Sequence, residues 1–136
     1  MKRYMYVAAP AAKWLANYLV IFLIFSYVIP NALSRWLETG IGWALSGLVA
    51  APFAYLAFKD RVPSDRQLGI FLIFWIMVTI AMEAAMDFVT LPNFMQFIWR
   101  YEFAVQTLIE IMVVLFMHRV MKRHQTYHQT AEGIEY

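Results

Sequence analysis

Residues 68–91 read LGIFLIFWIMVTIAMEAAMDFVTL. The first fifteen, Leu68 to Met82, carry no charge; Glu83 then interrupts the run, and Asp87 follows one helical turn later. A helix crossing ~30 Å of hydrocarbon needs about 20 apolar residues at ~1.5 Å each. The stretch therefore reads as a transmembrane helix that carries two carboxylates. Placing one carboxylate at bilayer depth costs roughly 2.5–3.5 kcal/mol on insertion scales, so the rest of the chain must offset that cost.

Composition extends this reading to the whole chain. Of 136 residues, 62% are hydrophobic, 18% aromatic and 15% charged, against about 25% charged in a soluble domain. Mean hydropathy is +0.57. The expectation is one integral membrane domain over residues 1–128, with a polar tail at 129–136 and no separate soluble catalytic domain. The absence of cysteine removes disulfides, thiolate nucleophiles and Cys-ligated metal centres. Lys2 and Arg3 precede an apolar run in the manner of a signal peptide. That run is long and no small-residue cleavage site follows it, so it reads as an uncleaved span.

Three further spans flank the central one. The first is expected at about 11–29, after a basic arm holding Lys2, Arg3 and Lys13, with Trp14 and Tyr18 as interface anchors and Pro30-Asn31 as its stop. The second covers about 40–58, where Gly42, Ser46, Ala50 and Ala54 recur every four residues. Small residues on one face let helices approach closely in lipid, within one chain or between copies. A polar turn, residues 59–67, offers Ser64 or Asp65 as N-cap to the third span. The fourth covers about 101–121 and leads into a basic tail. Pro92-Asn93 repeats the earlier Pro-Asn pair, which hints at two related halves.

Four spans put both termini on one side. The N-terminal arm, residues 59–67 and the tail hold nine of the eleven Lys and Arg residues. The positive-inside rule then places the termini in the cytoplasm. The expected architecture is an all-α, up-down-up-down four-helix bundle in the inner or plasma membrane, enlarged by homo-oligomerisation.

The chemistry available is that of carboxylates. Glu83 and Asp87 share one helix face; Glu102, Gln106 and Glu110, at i, i+4 and i+8, share another. Antiparallel neighbours would join the two stripes into a ladder from the outer surface to the midplane, with Asn17 as a further polar lining group. Such a ladder can bind protons, hold a hard cation or clamp an organic cation. The alternative is structural: Glu83 and Glu110 as interhelical glue, Asp87 and Glu102 as ion-pair partners of Arg35 and Arg100.

The leading reading is a small transporter or channel-like protein that binds a cation or protons at Glu83 and Glu110, with Asp87, Glu102 and Gln106 as the approach. Beside it stand a non-enzymatic membrane partner or assembly protein, and an intramembrane enzyme acting on a lipid or isoprenoid. No catalytic triad, phosphate loop or metalloprotease motif occurs. No cofactor and no nucleic-acid partner is expected; the expected partners are the bilayer, a second copy, and a small cation or lipid ligand. His124 and His128 are spaced to share a metal, but no third ligand joins them at fixed spacing, and a solvated helix end explains them better.

Overall fold

A computed structural model describes residues 2–28, 35–90 and 101–134. Helix α1 spans Met5–Leu23 and passes into a π-helical turn at Ile24–Val28; α2 spans Arg35–Phe58, α3 Asp65–Thr90 and α4 Tyr101–Ile134. All the described secondary structure is helical. Each of the four helices contains a segment long and apolar enough to cross a membrane, which suggests an integral membrane protein. Pro30-Asn31, Pro92-Asn93, Trp99 and Arg100 lie outside the described residues, as do the side chains of Arg35, Asp87 and Glu102.

The helix starts follow local chemistry. Ser64 caps α3: the Gln67 backbone N–H donates to Ser64 Oγ at 3.4 Å, and the Ser64 N–H donates to Gln67 Oε1 at 3.1 Å. The two bonds form a capping box, which satisfies two backbone donors that a helix start would otherwise leave open. Helix α1 begins at Met5, well before the start expected near residue 11. Lys13 consequently lies inside the helix rather than on a basic arm, and Trp14 is buried, stacked on Tyr18 at 5.8 Å.

Packing follows stripes of one or two residues per turn. The buried face of α1 carries Ala9, Pro10, Lys13, Trp14 and Asn17. That of α2 carries Ser46, Ala50, Ala54, Ala57 and Phe58; that of α3 Leu68, Phe71, Trp75 and Thr79; that of α4 Thr107, Glu110, Val114 and His118. Large apolar side chains on the opposite faces, among them Phe22, Leu48, Met77 and Phe116, are exposed. An outer surface of this kind suits contact with lipid.

Among the described residues, the closely packed pairs are α2 with α4, α1 with α2, and α1 with α3. Sequence neighbours α3 and α4 instead meet through long side chains. Gly47 lies where α2 packs tightly on α4: a Cβ there would lie 3.2 Å from Ile109 Cγ2 and 3.6 Å from Val113 Cγ2. The small-residue face is thus used up inside one chain, with Ser46, Ala50 and Ala54 wholly buried. Gly47→Leu is expected to wedge α2 from α4 and destabilise the fold by about 1–3 kcal/mol, read as a lower unfolding midpoint in detergent; Gly42→Leu, where a Cβ meets nothing within 4 Å, serves as the control.

The interior is layered. Ala9, Ala50, Ala54, Ala57, Phe58, Leu68, Phe71, Trp75 and Val114 form one apolar cluster. At its far end His118 Nε2 lies 2.8 Å from the Pro63 carbonyl oxygen, which fastens the α2–α3 connection to α4. At its other end the buried groups become polar, and these form the candidate site.

Candidate functional site

The site centres on Glu110, whose side chain is wholly buried. Its Oε2 accepts a hydrogen bond from Lys13 Nζ at 2.5 Å and one from Trp75 Nε1 at 3.0 Å. Its Oε1 accepts from Ser46 Oγ, and from Gln106 Nε2 at 3.4 Å. A carboxylate offers about four lone-pair positions. Here each is met, and each donor comes from a different helix: Lys13 from α1, Ser46 from α2, Trp75 from α3, Gln106 from α4.

Lys13 is also wholly buried. Its ammonium forms the ion pair with Glu110 and lies 5.7 Å from the Trp75 ring centroid. A cation within about 6 Å of an indole face gains cation–π attraction, which grows when water is excluded. The pair therefore has ionic, hydrogen-bonding and aromatic support, as two buried charges require.

A second tier of polar groups lies beside the pair. Asn17, one turn beyond Lys13 on α1, donates its Nδ2 to Ser46 Oγ at 3.4 Å. Asn17 Oδ1, Thr79 Oγ1 and Thr107 Oγ1 are buried and have no hydrogen-bond partner among the described residues. Glu83 is half-buried one turn beyond Thr79 and takes part in an interaction of its own.

Of the residues singled out from the sequence, Glu110, Gln106, Asn17 and Ser46 come together directly, while Glu83 lies two turns beyond Trp75 on α3. Ala50 and Ala54 belong to the apolar cluster, and Gly42 is half-buried. Asp87, Glu102, Arg35 and Arg100 have no described side chain, so the outer rungs of the ladder fall outside the description. Sequence reading missed Lys13, Trp75, Thr79 and Thr107. Lys13 had a usable signal: Ala9, Lys13 and Asn17 repeat the i, i+4, i+8 spacing that singled out Glu102, Gln106 and Glu110.

The tail histidines stay apart from this site. His124 and His128 are exposed on the extension of α4. No group of three His, Asp or Glu side chains suited to a metal occurs among the described residues. No family model, curated protein or solved structure matches the chain.

Proposed function

We propose that this chain is a small multi-pass membrane protein, transporter- or channel-like, that takes protons or a small cation at intramembrane carboxylates. The observation carrying the reading is the Lys13–Glu110 pair, two wholly buried opposite charges in helices apolar enough to span a bilayer. A buried ion pair seldom stabilises a fold better than apolar side chains of similar volume would. Ionisable groups at membrane depth default to a functional role. In this reading Lys13 is the resident counter-cation of Glu110, and a proton or cation arriving past Glu83 competes with it.

The up-down-up-down arrangement belongs to the same proposal. Asp65 meets Lys122 and Trp75 meets Glu110, so contacts along α3 and α4 run in opposite order. Tyr6 meets Phe71 and Lys13 lies over Trp75, so contacts along α1 and α3 run in the same order. With Lys13 inside, eight of the eleven Lys and Arg residues remain in the terminal segments and the α2–α3 connection, which still favours cytoplasmic termini. A second copy would have to dock on a face other than the one holding Ser46, Ala50 and Ala54.

The test is flux into proteoliposomes under an imposed pH or cation gradient. Glu83→Gln and the paired variant Lys13→Met/Glu110→Gln, which removes both charges together, are expected to abolish it. Flux equal to wild type in both would overturn the proposal. A second reading has one observation in its favour: the full set of donors on Glu110 suits a structural anchor in a non-enzymatic assembly protein. Under that reading wild-type protein carries no flux and a membrane partner co-purifies in fixed ratio.

A further inference from the structure

The three buried oxygens without partners lie at a similar level along their helices. Asn17 lies four residues beyond Lys13, Thr79 four beyond Trp75, and Thr107 three before Glu110. At ~1.5 Å per residue, each is about 4–6 Å along its helix from the Lys13–Trp75–Glu110 meeting point. All three lie on the same side of it, away from the end where Asp65 meets Lys122 and Tyr6 meets Phe71. They come from three helices and are 94%, 99% and 91% buried, taking the complements of their 6%, 1% and 9% exposure.

Groups of this kind are costly to leave open. Leaving a buried polar group unpaired destabilises a fold, and lipid offers no water to relieve it. Three at one level call for a shared guest, as unsatisfied buried groups commonly do. The donor set chooses its class. Asn17 Nδ2 is spent on Ser46, which leaves Oδ1, an acceptor only. The two threonine hydroxyls can turn their lone pairs inward. Three inward oxygens suit an electron-poor guest and disfavour an anion. A divalent ion would want several carboxylate ligands, whereas these are neutral.

We infer that Asn17, Thr79 and Thr107 form a binding site for one monovalent alkali cation, stacked directly on the Lys13–Glu110 pair. The inference rests on the proposed cation or proton role and names its ion class. Binding the ion would satisfy all three oxygens at once and place its charge about one turn from Glu110. Occupancy would then weaken the hold of Glu110 on Lys13, which links the site to the pair below it.

The test is thermal unfolding of the full chain in detergent, titrated with LiCl, NaCl or KCl against N-methylglucamine chloride at constant ionic strength. A saturable rise in midpoint with at least one alkali ion is expected. Thr79→Val and Thr107→Val, which keep shape and remove the hydroxyl, are expected to raise the apparent Kd about tenfold or more without lowering the ion-free midpoint. Thr79→Ser, which keeps the hydroxyl, is expected to retain binding. Wild type indifferent to every alkali ion, or valine variants responding like wild type, would overturn the inference. If proteoliposomes nonetheless pass protons in alkali-free buffer, the broader reading survives alone. If alkali binding is present and lost in the valine variants while no flux occurs, the site stands and the transport reading falls.

Discussion

Replacing Lys13 with methionine is expected to destabilise the fold by about 3–5 kcal/mol, the usual cost of stranding one member of a buried ion pair. The side chain is wholly buried and within 2.5 Å of Glu110 Oε2. Methionine fills most of the same volume, so packing loss is small and the charge dominates. Ser46, Trp75 and Gln106 would still donate to Glu110, but no cation would face it. The double variant Lys13→Met/Glu110→Gln removes both charges and is expected to recover most of the loss, so the cycle should show a coupling of several kcal/mol. Unfolding midpoints in mixed micelles measure this. Lys2→Met, at an exposed position, should stay within about 0.5 kcal/mol of wild type. A Lys13 variant no worse than the Lys2 variant would mean that the pair does not hold the bundle.

The same residue shows where sequence reading stops. Four helices apolar enough to span a membrane were legible because each is a long apolar run bounded by polar turns, and hydrophobicity alone specifies that much. Glu110 and Gln106 were legible as one face because charge stands out against an apolar background. Lys13 was not, because it follows Lys2 and Arg3 and a cation near a basic terminus reads as the edge of a span. Its burial goes with α1 starting at Met5, which places Lys13 two turns inside the helix. Helix pairing was hidden for another reason. Spans this uniformly apolar give no periodic signal to fix their rotation, so adjacency in sequence made α3 and α4 natural neighbours. The close contact of α2 with α4 instead uses the small residues of α2, among them Gly47, where Ile109 and Val113 leave little room for a side chain. Trp75 illustrates the third gap: a tryptophan in an apolar run reads as packing until a buried acceptor is found opposite its N–H.

That N–H supports the second large effect. Trp75→Ala is expected to cost about 3–5 kcal/mol, the range for emptying a buried aromatic site, because the indole is wholly buried and packs on Phe71 at 5.5 Å between ring centroids. Trp75→Phe keeps much of the volume and removes the donor to Glu110 Oε2. Its expected cost is about 1–3 kcal/mol, the penalty for leaving a buried acceptor short of a partner. The two variants thus separate filling from hydrogen bonding. Repeating Trp75→Phe in the Lys13→Met/Glu110→Gln background sharpens the separation. With the carboxylate and the ammonium both gone, the indole loses its charged acceptor and the cation over its ring, so the phenylalanine penalty should shrink to about 1 kcal/mol or less, a neutral hydrogen bond being worth about that much. A penalty unchanged between backgrounds would mean that Trp75 acts by volume alone. The indole would then be filling rather than a donor to the buried charges, and the route to Glu110 would be sought along the face of α3 that carries Glu83.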